Sequence, residues 1–310
     1  MPTAFLSHPD CLGHLAGPES GSHPDRPERL NAIRDRLISQ QLFDFVREIE
    51  APAATRQHLE RVHDGAYLDD LFARAGEKGL RKIDEDTFMD EGTLGAALHA
   101  AGAVVHATDL VLSGEVANAY CNIRPPGHHA TRDTAMGFCF INNIAAGVAH
   151  ALAIHHLERV AVIDFDAHHG NGTESIFRND SRVLTCSIYE RNLYPDSLHS
   201  VGGPGTANIS LEPGSGGAEL REAVEQIWTP AMQDFQPEMI FVSAGFDAHA
   251  DDLMSDLHWS DADYLWLSQY IVATAKDFSD RRLVSALEGG YDIAILRRCC
   301  TAFIQTLLGM

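Results

Sequence analysis

The sequence predicts an α/β fold built on a parallel sheet. Short runs of continuous apolar residues alternate with longer amphipathic stretches along the whole chain. Within the short runs polar and apolar residues do not alternate, which is typical of strands that are covered on both faces. The resulting β-α-β-α order favours one open sheet with helices packed around it.

Six short apolar runs are predicted to be strands of that sheet. Their continuous apolar character is expected for interior strands of a parallel sheet. They are Ala4–Ser7, Ala119–Ile123, Val160–Phe165, Val183–Ile188, Met239–Ala244 and Leu283–Leu287.

Seven longer stretches carry apolar residues at helical spacing. They are Glu28–Gln40, Glu60–Arg74, Thr93–Ser113, Asn142–His155, Ala218–Asp234, Ser260–Asp277 and Ile293–Leu308. Ser260 is a good N-cap because two acids follow it in the first helical turn. No repeat or linker interrupts the pattern, so residues 1–310 are predicted to form a single domain. Val201–Gly217 is the longest predicted loop, and a loop between a strand and a helix is expected to rim a site.

Composition narrows the classes of partner. The chain has 310 residues, with 23 Lys and Arg against 44 Asp and Glu, and a formal net charge of −21. A protein that coats DNA or RNA needs a basic surface, so no nucleic-acid partner is expected. The chain has no run of 18 apolar residues, and residues 1–10 lack a secretion pattern, so no membrane partner is expected. Six cysteines without a Cys-x-x-Cys pair predict reduced thiols in a cytoplasmic protein. The sequence does not predict an oligomeric state.

Polar residues end four of the predicted strands. Asp164 and Asp166 end the third strand, Ser187 the fourth, Asp247 follows the fifth and Tyr291 follows the sixth. Ligands bind at the carboxyl edge of parallel α/β sheets, where these ends meet. The pattern therefore predicts a functional site at that edge.

The segment Asp164-Phe-Asp-Ala-His-His-Gly-Asn-Gly is the most informative stretch. Asp166 and His168 are two residues apart at a strand end, so their side chains point the same way, and Asp247 can converge with them. One imidazole and two carboxylates form a three-ligand site that leaves a position open for water and substrate. Zn²⁺ is the favoured metal and Fe²⁺ its rival, since these ligands separate the two poorly. The competing interpretation is that Asp164 and Asp166 cap the next helix while His168 and His169 lie on the surface.

A pair of histidines lies in a stiff loop after the second predicted strand. Arg124-Pro-Pro-Gly-His-His-Ala carries two prolines and a glycine, which restrict this loop. Adjacent histidines are also common as inert surface residues, but one near a metal can take a proton from water and hand it to a leaving amine. Such a histidine needs an acceptor behind it, and Asp164 and Asn171 are available. Asp164 favours a charged imidazole whereas Asn171 only orients one, so His128 and His129 are predicted to differ.

Tyr291 follows a glycine pair at the end of the last predicted strand. The two glycines allow a turn that brings its ring over the site. A tyrosine hydroxyl there can donate to a developing oxyanion. The alternative is a core tyrosine that follows a glycine turn.

Together these motifs resemble the histone deacetylase superfamily, which includes zinc-dependent deacetylases, acetylpolyamine amidohydrolases and acetoin-utilisation proteins. The matching text is His23-Pro-Asp-Arg-Pro-Glu-Arg-Leu, Arg124-Pro-Pro-Gly-His-His-Ala, Gly137-Phe-Cys-Phe-Ile-Asn-Asn, Asp164-Phe-Asp-Ala-His-His-Gly-Asn-Gly, Ala244-Gly-Phe-Asp-Ala-His and Leu287-Glu-Gly-Gly-Tyr. The resemblance covers almost the whole chain. It implies the arginase–deacetylase fold, a three-layer α/β/α arrangement with a parallel sheet of about eight strands.

The resemblance also implies roles for individual residues. The zinc ligands would be Asp166, His168 and Asp247. The catalytic residues would be His129 as general base, His128 as its charged partner, Asp164 behind His128, Asn171 behind His129, and Tyr291 as oxyanion donor. Asparagine at 171 resembles the class II branch.

Substrate and ion sites are implied in the same way. The substrate-binding residues would be the rim acid Asp86, the tunnel residues Gly137, Phe138 and Tyr194, and the lining residue Met254. Structural monovalent cations, K⁺ in particular, would be held at an inner site (Asp164, Asp166, His168, Ser187, Ile188) and an outer one (Phe177, Asp180, Val183).

Three departures from the family pattern concern the entrance of the tunnel. Asp251-Asp252-Leu253-Met254 replaces a common Asp-Asp-Pro, and a neutral Met254 disfavours polyamines, whose selective relatives tend to carry an acid there. Tyr189 stands where a histidine is frequent. The Leu198–Gly217 segment aligns poorly and is expected to shape the entrance.

The function predicted from the sequence is metal-dependent hydrolysis of an N-acylated amine, with acetyl-lysine in a protein or peptide favoured. An acetylpolyamine or a small acetylated metabolite is the alternative substrate. An arginase-type ureohydrolase would need a second metal and leaves the histidine pair and Tyr291 unexplained. A silent acyl-lysine binding protein is the alternative from another class, and it has little need of Tyr291.

Overall fold

An eight-stranded parallel sheet organises this protein, which a computed structural model describes over residues 1–17, 23–195, 203 and 205–310. Its strands are β1 (Thr3–Ser7), β2 (Val46–Glu50), β5 (Asn118–Cys121), β6 (Val160–Asp164), β7 (Val183–Glu190), β8 (Ile209–Leu211), β9 (Met239–Ala244) and β10 (Leu283–Leu287). Their spatial order is β2-β1-β5-β10-β9-β6-β7-β8, and every neighbouring pair is parallel. A small antiparallel hairpin, β3 (Arg81–Lys82) with β4 (Phe88–Met89), lies apart from the sheet.

Helices flank this sheet in two packed groups. The α-helices are α1 (Glu28–Ser39), α2 (Arg56–Leu59), α3 (Gly65–Ala75), α4 (Thr93–Leu112), α5 (Asn143–Ile154), α6 (Asn171–Phe177), α7 (Gly217–Ala223), α8 (Thr229–Phe235), α9 (Asp261–Phe278) and α10 (Ile293–Leu308). Helices α4 and α5 pack together, as do α1, α9 and α10. The fold predicted from the sequence, helices around a parallel sheet of about eight strands, is confirmed.

The interior strands follow from their composition. Every residue of β5, β6, β7, β9 and β10 is buried. Strands covered on both faces are expected to be continuously apolar, which is how these runs read in the sequence. All six cysteines are buried free thiols within or against this core.

Two edge strands were missed by the sequence analysis. Strand β2 is Val-Arg-Glu-Ile-Glu and is mostly exposed, so it lacks the apolar run of an interior strand. Strand β8 has only three residues and lies inside the segment Val201–Gly217, which was predicted to be a loop. Both form because a neighbouring strand offers backbone partners, a contact that local sequence does not encode. Residues 198–202 and 204 of the Leu198–Gly217 segment lie outside the described residues, so its predicted role at the entrance stays a prediction.

Two predicted helices differ in their bounds. The stretch Glu60–Arg74 is helical only from Gly65 onwards. The Asp64 backbone N–H donates to the carbonyl of Arg132 at 2.8 Å, so the chain before α3 bonds to another loop. The stretch Ala218–Asp234 contains a π-helical turn, Val224–Trp228, between α7 and α8. Pro230 follows that turn and lacks the N–H that a regular helix needs there.

Helix α4 is long and apolar enough to cross a membrane by length and composition alone. Two thirds of its most apolar window (67%) is buried inside the fold, however. A buried core helix of a soluble protein passes the same test. Helix α4 packs against α5 and against strands β1, β5 and β10 of the sheet.

Candidate active site

The polar residues that follow the strands meet at one edge of the sheet. Asp164 is the last residue of β6 and lies beside Ser187 of β7. Asp247 follows β9, Tyr291 follows β10, and the His128–His129 loop follows β5. Because these strands are parallel, their carboxyl ends share this edge.

The three predicted metal ligands come together. One ligand atom each from Asp166, His168 and Asp247 lies within 4.8 Å of the others, and all three residues are buried. His168 Nδ1 is 2.9 Å from Asp166 Oδ1 and 3.1 Å from Asp247 Oδ2. One nitrogen and two carboxylate oxygens in this arrangement fit a divalent cation such as Zn²⁺.

The competing interpretation of this segment is wrong. Gly170 is the N-cap of α6, and the carboxylates of Asp164 and Asp166 accept from the backbone N–H groups of Asp166 and His168, which precede that helix. His168 and His169 are 7% and 3% exposed, so they do not lie on the surface. All four side chains are buried at the sheet edge instead.

Negative charge exceeds positive charge around the ligand set. Burial and the neighbouring carboxylate of Asp166 raise the pKa of Asp247 to about 6. Burial also raises the pKa of Glu288, which lies under the histidine loop, to about 7. A bound divalent cation would stabilise ionised carboxylates here, because it supplies the opposite charge at close range.

The two histidines have different partners, as predicted. His128 Nδ1 lies 2.9 Å from Asp164 Oδ2, and His129 Nδ1 lies 2.7 Å from Asn171 Oδ1. Burial opposes a charge on His128, but Asp164 and Asp166 outweigh it and raise the pKa of that ring to about 10. Burial and the neighbouring charge of His128 hold the pKa of His129 well below its usual value. His128 is therefore charged and His129 neutral at neutral pH.

Glu288 anchors the loop that carries these histidines, a role that the sequence analysis missed. Its Oε2 accepts from the backbone N–H of Gly127 at 2.7 Å and of His128 at 3.2 Å. Its Oε1 accepts from Ser243 Oγ at 3.1 Å. The acid was visible within Leu287-Glu-Gly-Gly-Tyr, but its position in that motif does not show which loop it would hold.

A cavity of about 130 Å³ opens onto the histidines and includes all five predicted substrate-binding residues. Its lining residues are Asp86, Pro126, His128, His129, Gly137, Phe138, His168, Tyr194, Met254 and Tyr291. The histidine pair, the predicted metal ligand His168 and Tyr291 thus share one cavity with aromatic walls. Tyr189 does not line this cavity, and its ring packs against His169 with centroids 4.6 Å apart.

Left-handed backbone turns Phe138 into the cavity. The φ angles of Gly137 and Phe138 are +56° and +67°. A Cβ at position 137 would lie 2.9 Å from Cε1 of Tyr194, so glycine is required there both by space and by φ. The Phe138 N–H donates to Thr87 Oγ1 at 3.0 Å, and the Phe138 ring meets Tyr291 edge to face with centroids 6.0 Å apart.

A second buried charged cluster adjoins the cavity. Asp25 is held by Arg29, with Nη1 2.8 Å from Oδ1, and by Arg124, with Nε 2.6 Å from the same oxygen. Arg29 Nε also donates to the carbonyl of Gly290 at 2.7 Å, and its guanidinium lies 4.8 Å from the centroid of the Tyr291 ring. Arg29 therefore supports the turn that presents Tyr291. The sequence analysis missed this cluster, whose only signal was the charged segment within residues 23–30.

Asp252 connects Met254 to the tyrosine. Its Oδ2 accepts from the backbone N–H of Tyr291 at 2.7 Å and of Asp292 at 2.9 Å. Its Oδ1 accepts from the N–H of Met254 at 3.1 Å. One buried carboxylate thus sets the relative positions of two cavity walls.

The residues matched to monovalent cations fall into two groups. The inner group lies at the carboxyl edge of the sheet and shares two residues with the predicted metal ligands. It comprises Asp164, Asp166, His168, Ser187 and Ile188. The outer group lies in the turn between α6 and β7 and comprises Phe177, Asp180 and Val183. In that turn the carbonyls of Phe177 and Asp180 already accept backbone hydrogen bonds, at 2.8 and 3.0 Å. Potassium at either site stays a prediction.

The sheet order and the buried nitrogen-and-carboxylate ligand set define the arginase–deacetylase class of protein. A solved structure of the HDA15 HD domain superposes with a TM-score of 0.91 at 30% identity, covering 99% of this chain and 91% of that one. A histone deacetylase domain matches residues 23–307. The chain therefore belongs to the histone deacetylase family.

Curated relatives agree with this assignment. A histone deacetylase-like amidohydrolase from Pseudomonas aeruginosa is 33% identical over 99% of this chain and 86% of its own length. A probable deacetylase from Archaeoglobus fulgidus is 37% identical over 94% of this chain and 82% of its own length. The human polyamine deacetylase HDAC10 is 32% identical over 100% of this chain and 48% of its own length. The family is one of deacetylases and amidohydrolases.

Proposed function

We propose that this protein is a zinc-dependent deacetylase that hydrolyses the amide of an acetylated lysine in a peptide or protein. The observation that supports this most is the single cavity of about 130 Å³ shared by the histidine pair, His168 and Tyr291. A neutral Met254 in its wall favours a lysine side chain over a polyamine, because a second ammonium group would have no carboxylate at that position.

Zn²⁺ held by Asp166, His168 and Asp247 would polarise the acyl carbonyl and lower the pKa of the attacking water. His129 takes the proton of that water at Nε2. Asn171 Oδ1 can only accept a hydrogen bond, so Nδ1 of His129 carries the ring hydrogen and Nε2 keeps a lone pair. The low pKa of His129 keeps it neutral and ready for this step.

His128 supplies positive charge beside the reacting carbonyl. Its Nδ1–H donates to Asp164, and its raised pKa keeps the ring protonated while the neighbouring ring gains and loses a proton. The proton on His129 Nε2 then passes to the departing amine. The two histidines thus divide base and electrostatic roles through their different partners.

Tyr291 donates its hydroxyl hydrogen to the oxyanion that forms at the carbonyl. Burial raises the pKa of this hydroxyl well above its usual value, so it stays protonated. Phe138 and Tyr194 flank the alkyl chain and exclude water from it, and Asp86 at the cavity wall accepts from a backbone N–H of the substrate.

Acetate release from an acetyl-lysine peptide and from an N-acetylated polyamine tests the proposal. With zinc-loaded protein we expect the peptide to be the better substrate. Tyr291→Phe should lower kcat about 10²- to 10³-fold, because it removes one oxyanion donor, without changing the zinc content. Tyr270→Phe, on α9 away from the cavity, is the matched control and should keep wild-type activity.

Other outcomes separate the alternatives. Preference for the polyamine would overturn the role given to Met254. Binding of the peptide without acetate release by the wild-type protein would indicate a silent acyl-lysine binding protein. An undiminished rate in Tyr291→Phe would contradict the oxyanion role of that residue.

A further inference from the structure

Three polar side chains converge in the helical layer that contains α4 and α5. Asp109 lies near the end of α4, His150 lies near the end of α5, and His155 is the residue that follows α5. The Nε2 atoms of both histidines lie 2.7 Å from the same oxygen, Asp109 Oδ1. None of the three lines the active-site cavity.

We propose that Asp109, His150 and His155 form a second site for a first-row divalent cation, with Zn²⁺ as its natural probe. Two imidazole nitrogens and one carboxylate oxygen are ligands that Zn²⁺ takes at about 2.0–2.2 Å. In the structure both Nε2–H groups donate to one carboxylate oxygen. For a cation to bind there, the hydrogen of each ring moves to Nδ1 and leaves the Nε2 lone pair free. The N···O distances would then widen from 2.7 Å to the roughly 3.3 Å expected for a tetrahedral site.

Packing fixes the position of His150 and leaves the side chain of Asp109 able to move. Helices α4 and α5 pack along each other, which sets the spacing of Asp109 and His150. The His150 side chain is only 7% exposed, whereas that of Asp109 is 45% exposed and can withdraw by the distance required. The exposed side of the site leaves room for water as a further ligand.

Arg61 opposes the cation and so makes the site testable. Its Nη1 lies 3.3 Å from His150 Nδ1, where the guanidinium donates to the ring nitrogen. Binding of a cation at Nε2 moves the ring hydrogen to Nδ1, which then repels Arg61. Among the described ranges Arg61 has no carboxylate within 4 Å, so no ion pair prevents it from turning away.

Another histidine cluster in the described residues is less suitable. His8 and His99 lie near Asp10 and could also be grouped as ligands. Their rings stack face to face, with centroids 3.4 Å apart and an interplanar angle of 3°, so their lone pairs run side by side. His8 Nδ1 also already accepts from the N–H of Asp10 at 3.1 Å. The rings of His150 and His155, by contrast, are 69° apart and aim at one point.

Calorimetric titration of the chelator-stripped full chain with Zn²⁺ counts the sites. We expect two equivalents for the wild type, one for His155→Ala, and two for the control His106→Ala on the same helix as Asp109. The equivalent retained by His155→Ala, together with its circular dichroism spectrum, shows that this variant is folded. Asp166→Ala should bind one equivalent of Zn²⁺, at the site formed by Asp109, His150 and His155.

Arg61→Gln should strengthen Zn²⁺ binding at this site, whereas His155→Ala should abolish it. Removing the guanidinium and offering an amide oxygen to His150 Nδ1–H should tighten the second equivalent about tenfold. With Cu²⁺ as probe in Asp166→Ala, the electron paramagnetic resonance spectrum should show coupling to nitrogen that His155→Ala weakens. The proposal would be overturned if Asp166→Ala bound no Zn²⁺, if the second equivalent were unaffected by His155→Ala, or if Arg61→Gln bound that equivalent more weakly.

Discussion

Two buried charged clusters lie side by side in this protein, and the excess charge is positive in one and negative in the other. Around Asp25, two guanidinium groups face one fully buried carboxylate. Around Asp166 and Asp247, carboxylates outnumber the cationic side chains. Arg29 belongs to the first cluster and lies over the ring of Tyr291, so the two clusters adjoin at the catalytic tyrosine of the proposed mechanism.

The carboxyl groups of Asp25 and Asp247, one from each cluster, have pKa values shifted in opposite directions. Burial opposes ionisation of Asp25, but Arg124 and Arg29 outweigh it and hold the pKa of that carboxyl well below its usual range. Burial and Asp166 raise the pKa of Asp247 to about 6. The guanidinium groups of the first cluster keep its carboxylate ionised, whereas a cluster with excess negative charge is suited to binding a cation.

The largest expected effect comes from removing the carboxylate of the Asp25 cluster. Asp25→Asn should lower the free energy of unfolding by about 3–5 kcal/mol, because it leaves two buried guanidinium groups without their carboxylate. The loss should be present above the ordinary pKa of about 3.9 and should disappear as the pH falls below it, because the wild-type carboxyl is then protonated on unfolding. Urea denaturation at several pH values measures both.

Asp70→Asn is the matched control for that variant. Asp70 and Arg74 form an ion pair with the same i, i+4 spacing as Asp25 and Arg29, but their side chains are 59% and 43% exposed. An exposed pair contributes less than about 1 kcal/mol. Equal losses in the two variants would contradict the distinction between a buried cluster of ion pairs and an exposed pair.

Removing a carboxylate from the cluster with excess negative charge should have the opposite effect on stability. In the presence of a chelator, Asp247→Asn should raise the free energy of unfolding at pH 8 by about 1–3 kcal/mol, because ionised Asp247 is unfavourable there. The gain should shrink as the pH falls through 6 towards 4, where the native carboxyl is protonated. With saturating Zn²⁺ the wild type should become the more stable protein. A variant less stable than the wild type without metal would contradict the excess of negative charge.

The smallest effect should come from making the two histidines alike. Asn171→Asp places a carboxylate behind His129 and should raise the pKa of that ring. Because His129 must be neutral to accept a proton, the acidic limb of the kcat/KM profile should move to higher pH by about one unit. Asn179→Asp, an exposed site with the same change in charge, should leave the profile in place.

The candidate site was largely predictable because its chemistry is local. Asp166 and His168 are two residues apart, and the runs Met239–Ala244 and Leu283–Leu287 were predicted with the bounds that the structure has. Continuous apolar runs report burial on both faces, and parallel strands bring their ends to one edge. The supporting residues were not predictable in this way. Glu288 accepts a hydrogen bond from the N–H of Gly127, which is 161 residues away in the sequence, and a local sequence pattern cannot predict a contact over that separation.

The sequence by itself determined the interior strands, the ligand types and the difference between Asp164 and Asn171 as partners of the two histidines. Each of these depends on residue identity and on spacing along the chain. Only the tertiary structure decided the edge strands β2 and β8, the non-helical segment before α3, and the pairing of Asp25 with Arg124. Those features exist because backbone and charged groups from distant parts of the chain satisfy one another when buried.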